Sequence, residues 1–172
     1  MVLKDRERYH GTAMIELEEV LGILRSFGRH EVEYVLVGGV AGIFHGLGRT
    51  TEDVDLFVRP TPQNIAAVRA ALHEVYPDDA SIDEITAEDL AGEYPTVRYG
   101  PPHGRFYIDF LARLGEAVLF NSIEWRLLDV EGVAVRIATP RALYRMKRST
   151  VRARDRADAE ALRELYPDEV GD

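Results

Sequence analysis

The feature that most constrains the fold is a short strand-like run in which two aspartates alternate with apolar residues. Within residues 51–58, Asp53 and Asp55 alternate with Val54 and Leu56. Because side chains alternate between the two faces of a strand, one face is apolar and the other carries both carboxylates, about 6–7 Å apart. Two like charges held that close repel each other, so water or a cation must neutralise them. Mg²⁺ is the usual cation for carboxylate oxygens that act together with phosphates.

A double glycine, Gly38-Gly39, ends the short apolar run 34–37. Glycine lets a backbone approach a ligand closely, and N–H groups at the start of a following helix can bind an anion such as a triphosphate. The alternative is a tight strand-to-helix turn without a ligand. The turn is not a P-loop, because no Gly-Lys-Ser/Thr follows, and it lacks the G-x-G-x-x-G spacing of dinucleotide-binding folds.

A third carboxylate, Asp109, lies within the otherwise apolar run 106–111. A buried aspartate without a partner is costly, so one expected partner is a backbone amide or a nearby arginine such as Arg105. In the other interpretation, Asp109 lies beside Asp53 and Asp55 on an adjacent strand. Three carboxylates around one cleft could then hold two Mg²⁺ ions, which clamp the attacking and leaving oxygens of a phosphoryl or nucleotidyl transfer.

Length and composition fit one compact domain spanning residues 1–172, in which 139–172 form a helical C-terminal part. No segment approaches the roughly 20 apolar residues needed to cross a bilayer, and no apolar signal core follows the charged N-terminus. The absence of cysteine excludes disulfides and thiolate metal sites. A cytoplasmic protein without membrane contact is the simple interpretation.

The charge distribution is uneven. A net charge of −9 argues against a protein that coats nucleic acid through its overall field. However, seven of the 21 lysines and arginines lie between Arg141 and Arg156, against one acid, Asp155. This cluster either contacts phosphates locally or forms an ordinary solvated helical face. Lys147 is one of only two lysines in the chain, which favours a role for its compact point charge, the alternative being chance.

The order of the predicted elements indicates an α/β (α+β) fold, with a small mixed β-sheet flanked by helices and a helical C-terminal end. Thr61-Pro62 and Thr139-Pro140 are typical of helix starts. Trp125 is expected in the core. The expected strands cover 34–37, 51–58, 96–99 and 105–111, a hairpin covers 125–138, and the main helices cover 15–27, 65–75, 140–148 and 154–165.

Together, these residues resemble the nucleotidyltransferase superfamily typified by DNA polymerase β. Its signature is a strand, a G-G or G-S turn, a D-x-D pair and a later single aspartate on a neighbouring strand. The matching residues here are Gly38, Gly39, Asp53, Asp55 and Asp109. The resemblance implies a nucleotidyltransferase fold that uses Mg²⁺, with two ions expected, and an NTP substrate.

A narrower resemblance involves two further segments. Residues 49–56, Arg-Thr-Thr-Glu-Asp-Val-Asp-Leu, resemble the R-x-T-x-D-[IV]-D-L form of AbiEii-like toxins of type IV toxin–antitoxin systems and their uncharacterised relatives. Residues 139–162 resemble that group's ending, "S/T-P-x-x-L-x-x-x-K … R-x-x-D … L". The resemblance implies that Lys147, with Asp155 or Asp158, belongs to the active-site region and that Lys147 contacts nucleotide phosphates.

The expected reaction is therefore transfer of NMP from an NTP to a hydroxyl acceptor, which the resemblance implies is tRNA or another RNA, by a toxin with an antitoxin partner. Two departures are that Gly39 replaces the serine of many superfamily members and that the chain is shorter than full toxins. The alternatives are a small-molecule (antibiotic) nucleotidyltransferase and a non-catalytic relative that binds a nucleotide or a partner. The expected catalytic and metal-binding residues are Asp53, Asp55 and Asp109, and the expected nucleotide-binding residues are Gly38, Gly39, Arg49, Thr50, Lys147, Asp155 and Asp158.

Overall fold

A computed structural model describes residues 13–102, 104 and 106–171, with the backbone alone for residues 13–16. Arg105, one expected partner of Asp109, lies outside the described residues. The helices are α1 (Ala13–Arg29), α2 (Gly38–Phe44), α3 (Pro62–Val75), α4 (Ala87–Ala91), α5 (Pro140–Arg148), α6 (Ala153–Leu165) and α7 (Pro167–Val170). The strands are β1 (Tyr34–Val37), β2 (Asp53–Val58), β3 (Thr96–Tyr99), β4 (Tyr107–Leu111), β5 (Arg113–Leu114), β6 (Val118–Leu119), β7 (Trp125–Val130) and β8 (Val133–Ala138).

The main sheet contains six strands in the order β3-β4-β2-β1-β8-β7, and β5 pairs with β6 in a separate ribbon. At its centre, β2 runs antiparallel to β1 and parallel to β4, while β1 runs parallel to β8. The edge strands β3 and β7 are antiparallel to their neighbours. This mixed sheet with flanking helices confirms the predicted fold class.

The central strands carry the core. All four residues of β1 are buried, and Leu56 and Phe57 of β2 are fully buried. Helix α1 packs against α3 and β8, and the Phe27 ring of α1 stacks on Phe110 of β4 with ring centroids 6.4 Å apart. Each such side chain contributes roughly 1.5–3 kcal/mol by leaving water. Apolar burial therefore fixes the strands whose polar residues form the site.

The two Thr-Pro signals begin helices as predicted. The hydroxyl of Thr61 accepts a hydrogen bond from the Asn64 N–H, and that of Thr139 accepts one from the Ala142 N–H, both at 3.2 Å. In each case the proline follows at the first helical position, where it loses no intrahelical hydrogen bond. The second cap matters for the site because it orients α5 at the end of β8.

The predicted hairpin of β7 and β8 turns at Glu131 and Gly132, with φ values of 50° and 83°. Two consecutive positive φ angles suit the right-handed twist of a two-residue hairpin. The expectation that Trp125 lies in the core was wrong, because 43% of this residue is exposed. It lies on the edge strand β7, where its ring covers the Arg136 guanidinium at 3.9 Å.

The strands β5 and β6 and the short helix α7 were not anticipated from the sequence, since segments of two to four residues carry too little periodicity to detect. Across the part of the chain that the structure describes, no helix has the length and apolar character that a membrane span requires.

Candidate active site

Strand pairing brings the aspartates together. Asp55 of β2 pairs with Asp109 of the parallel strand β4, and Asp53 lies two residues earlier, paired with Tyr107. Residues opposite each other on neighbouring strands point to the same face of a sheet, and so do residues two apart. All three carboxylates therefore extend from one face. This is the juxtaposition expected from the sequence, while their roles in metal binding and catalysis stay a prediction.

The carboxylates line an open cleft of about 770 Å³. Residues of β1, β2, β3 and β4, of the glycine turn, of α5 and of the turn that leads into α6 line this cleft. The polar and glycine residues that line it are Gly38, Gly39, Arg49, Thr51, Asp53, Asp55, Thr96, Arg98, Asp109, Lys147, Thr150, Arg152, Arg154 and Asp155.

The double glycine is required by the close approach of Asp55. Val37 pairs with Asp55, so Gly38 lies directly against that carboxylate, and a Cβ atom at Gly38 would stand 2.0 Å from Asp55 Oδ2. Gly38 also has φ +69°, which favours glycine. At Gly39 a Cβ would lie 2.9 Å from the Thr51 hydroxyl. The backbone N–H of Gly39 donates to Asp55, so in this structure that N–H serves the carboxylate.

The environment of Asp55 disfavours its charge. Burial, followed by repulsion from Asp109 and Asp53, raises the pKa of Asp55 from 3.8 to about 6, although Lys147 and the Gly39 N–H oppose this shift. A carboxylate that gains a nearby cation would recover the ionised form. The raised pKa of Asp55 therefore reflects first its burial and then the two neighbouring carboxylates.

Arg98 of β3 is a site residue that the sequence interpretation missed. Its guanidinium donates to both oxygens of Asp109, at 2.8 Å each, and lies 3.7 Å from an oxygen of Asp53. The pairing raises the pKa of Arg98 further above its usual range. Arg98 faces Asp109 only because β3 pairs with β4, so no local motif could reveal the contact. Thus an arginine does partner Asp109, as one interpretation expected, and the three aspartates also cluster.

Lys147 lies at the cleft wall, but its ammonium group already pairs with carboxylates of α6. Its ammonium is buried, 2.8 Å from Asp158 and 3.5 Å from Asp155, and Arg49 donates to the same oxygen of Asp158. A buried charge needs such partners. Thr150 also donates to Asp155 at 2.9 Å. The predicted residues Arg49, Lys147, Asp155 and Asp158 thus do converge, as an ion network that fastens α5 and α6 to the segment before β2.

Thr50 is not brought into the cleft, because it is exposed and its neighbour Thr51 lines the wall instead. Strand alternation could have identified this, since Thr51 shares the parity of Asp53 and Asp55. The structure also singles out Arg152 and Arg154, which are exposed at the cleft mouth. Neither forms an ion pair with a described carboxylate, so they are the cations of the cleft that a ligand could engage.

The donor set suits Mg²⁺, since aspartate oxygens are the hard ligands this ion prefers. Among residues 17–102, 104 and 106–171, however, no three or more His, Cys, Asp or Glu side chains already have the spacing of a metal site. Both oxygens of Asp109 are bonded to Arg98 instead. Asp53 and Asp55 could hold an ion directly, and Asp109 could join them after releasing its arginine.

Comparison with known proteins identifies a family model that matches most of the chain. A family model described as the nucleotidyl transferase AbiEii toxin of type IV toxin–antitoxin systems matches residues 21–168. No curated protein sequence matches the chain.

Three solved structures share the fold. A candidate nucleotidyltransferase from Thermotoga maritima is 11% identical, with a TM-score of 0.58 over 94% of this chain and 99% of the other. An antigenic nucleotidyltransferase-like protein from Paracoccidioides brasiliensis is 18% identical, with a TM-score of 0.55 over 89% and 76%. ANT(2")-Ia in complex with adenylyl-2"-tobramycin is 12% identical, with a TM-score of 0.53 over 87% and 88%. At these identities, the likeness concerns the fold alone.

Proposed function

Because the chain belongs to the AbiEii family of nucleotidyl transferase toxins, we propose that it transfers NMP from an NTP to a hydroxyl group of an acceptor and releases pyrophosphate. The observation that carries this proposal is the pairing of Asp55 with Asp109 on neighbouring strands, beside Asp53 and the glycine turn. The family is one of toxin–antitoxin systems, so an antitoxin protein is the proposed partner.

In this reaction, the acceptor hydroxyl oxygen forms a bond to the α-phosphorus of the NTP. The bond from that phosphorus to the oxygen bridging it to the β-phosphate breaks, and the electron pair leaves with pyrophosphate. Asp109 accepts the hydroxyl proton on a carboxylate oxygen once its contact with Arg98 is released. Mg²⁺, when bound, would neutralise charge on the phosphates. Asp53 and Asp55 are the residues that would hold it, with Asp109 as a further ligand.

For the nucleotide phosphates, we propose the end of the cleft beside Gly38, Gly39 and Arg49. The guanidinium groups of Arg152 and Arg154 at the mouth, which form no ion pair within the described residues, can add charge-assisted hydrogen bonds to phosphate oxygens. Contact between Lys147 and the phosphates would require its ammonium to leave Asp158, to which it donates at 2.8 Å. A supporting role of Lys147, through the ion network, therefore fits the geometry better than direct contact.

The acceptor is proposed to be a nucleic acid, with tRNA or another RNA as the class that the family suggests. The exposed arginines at the cleft mouth support an anionic acceptor, since they attract a phosphate backbone. They would repel a cationic antibiotic. The small-molecule alternative is supported by the shared fold of ANT(2")-Ia, whose structure contains adenylyl-2"-tobramycin.

The test is turnover of labelled NTPs with Mg²⁺, using tRNA and a panel of antibiotics as separate acceptors. Asp53→Asn should abolish Mg²⁺-dependent turnover, because it removes an anionic donor while preserving shape. Asp78→Asn is the matched control, since Asp78 is exposed and does not line the cleft. Unchanged turnover in Asp53→Asn would refute the metal assignment. Label transfer to antibiotics and not to tRNA would establish the alternative.

A further inference from the structure

Arg98 contacts the reaction carboxylates in a way that none of the other cleft cations does. Its planar fork matches both oxygens of Asp109, with Nε on Oδ1 and a terminal nitrogen on Oδ2, each at 2.8 Å. The same terminal nitrogen lies 3.7 Å from Asp53, and the guanidinium carbon lies 5.1 Å from the centre of the Tyr107 ring. One arginine thus bridges two of the three carboxylates.

This contact and a divalent cation compete for Asp109. Mg²⁺ needs an oxygen at about 2.0–2.1 Å in near-octahedral geometry and tolerates little distortion. The bidentate guanidinium bonds to both carboxylate oxygens and places a positive charge where the ion's charge would act. The two cations therefore repel each other, and each is favoured by the absence of the other. In the structure, both oxygens of Asp109 are bonded to Arg98, which is the arginine-bound arrangement.

The position of Arg98 also allows its guanidinium to be displaced from Asp109. The side chain of Arg98 is 54% exposed and extends from the edge strand β3, whereas that of its partner Asp109 is 14% exposed. A half-exposed guanidinium regains water when it leaves the pair, so its release costs little provided that another cation takes its place at the carboxylate. Arg49 and Lys147 differ in this respect, because their side chains are only 15% and 8% exposed. Removing either cation from Asp158 would leave a buried carboxylate with incomplete charge compensation. Of these paired cations, Arg98 is the one that a metal ion can displace without unfolding its surroundings.

We propose that Arg98 is a positioning residue of the transfer reaction, holding the Asp109 carboxylate beside Asp55 and exchanging with a divalent cation when the site assembles. The inference rests on the proposed function, since it assumes that these carboxylates bind metal. It adds a residue and a step that the motif does not contain. Before metal binds, Arg98 orients Asp109 and neutralises its charge. On metal binding, both oxygens of Asp109 become available to the cation and the acceptor.

The exchange is tested by titrating Mg²⁺, and separately Mn²⁺, into the full chain by calorimetry without NTP. Arg98→Gln should tighten binding about five-fold, because the ion no longer displaces a charged partner of the strength of an exposed bidentate pair. Arg98→Lys should give a smaller gain, since it keeps the charge without the fork. Arg152→Gln is the charge-matched control, because it removes a cation from the same cleft without touching Asp109.

Equal gains in Arg98→Gln and Arg152→Gln would overturn the exchange and indicate a general effect of charge. So would an unchanged affinity in Arg98→Gln. The same titration in an Asp109→Asn background supplies a second measurement, because Arg98→Gln should then add no further gain. The thermal shift caused by Mg²⁺ should follow the same order.

These results separate the inference from the function on which it rests. If the wild-type chain binds Mg²⁺ and Arg98→Gln changes nothing, the exchange is refuted while the metal site stands. If neither the wild type nor Arg98→Gln binds Mg²⁺ or Mn²⁺, both the exchange and the metal assignment are refuted.

Discussion

Replacing Asp55 with asparagine should stabilise the metal-free protein while abolishing turnover. The pKa of Asp55 is raised from 3.8 to about 6, mainly by burial and then by Asp109 and Asp53. An aspartate whose pKa is higher in the folded than in the unfolded chain destabilises the fold when ionised. This shift corresponds to about 3 kcal/mol at neutral pH. Asparagine keeps the shape and an acceptor for the Gly39 N–H but carries no charge.

Because the pKa of Asp55 is raised on folding, the stability difference between Asp55→Asn and the wild type depends on pH in a defined range. Below the unfolded-state pKa of 3.8, Asp55 is protonated in both states, so the variant and the wild type should differ little in this respect. As pH rises through about 6, the wild type loses the stability that the neutral carboxyl provided, and the variant does not. The advantage of Asp55→Asn should therefore grow between pH 4 and 6 and level off above.

Urea unfolding in EDTA at a series of pH values measures this difference. At pH 7.5, about 3 kcal/mol corresponds to a melting temperature higher by roughly 6–12 °C for a chain of this size. Asp78→Asn is the control for removal of an exposed acid. Excess Mg²⁺ should reverse the order, because only the wild type gains from the ion. An Asp55→Asn variant less stable than the wild type at pH 7.5 would refute the repulsion argument.

Two further substitutions test the neighbouring contacts. Gly38→Ala places a side chain at φ +69°, with its Cβ 2.0 Å from Asp55 Oδ2. We expect the variant to lose about 2 kcal/mol of unfolding free energy and to have a roughly 100-fold lower kcat. Denaturant unfolding and NTP turnover measure the two effects. Retention of full turnover would contradict the close approach. Lys147→Met should cost about 3 kcal/mol, because the buried carboxylate of Asp158 then loses a charged partner, with little change in KM for the NTP. Normal stability with a raised KM would instead establish phosphate contact by Lys147.

The parts of the site that could be predicted from sequence are those that depend on the spacing of residues close together in the chain. Asp53 and Asp55 alternate with apolar residues, and the Gly38-Gly39 turn follows an apolar run, so a strand and a turn could be expected without knowing what lies beside them. Asp109 was identifiable as a charge within an apolar strand. From the sequence, the proximity of Asp109 to Asp53 and Asp55 is one of two interpretations, which the family resemblance then favours. The register of β2 with β4 supplies the physical reason for that proximity.

The remaining contacts depend on pairings between segments distant in sequence. Arg98 reaches Asp109 across β3 and β4, and its neighbours in sequence give no sign of this. The rarity of lysine distinguishes Lys147 in the sequence, but its burial against Asp158 depends on the packing of α5 on α6. Thr50 is a different case, since the strand alternation visible in the sequence places Thr51, and not Thr50, on the same face as Asp53 and Asp55.

The same alternation that forms the site also anchors it in the core. In β2, Leu56 is fully buried, whereas Asp53 and Asp55 face the cleft. A shift of β2 by one residue relative to β1 and β4 would bury both carboxylates and expose the apolar face, which is strongly unfavourable. The apolar face therefore fixes the register, and the register places Asp55 opposite Asp109. Core burial thus holds together three carboxylates whose mutual repulsion Arg98 offsets only in part.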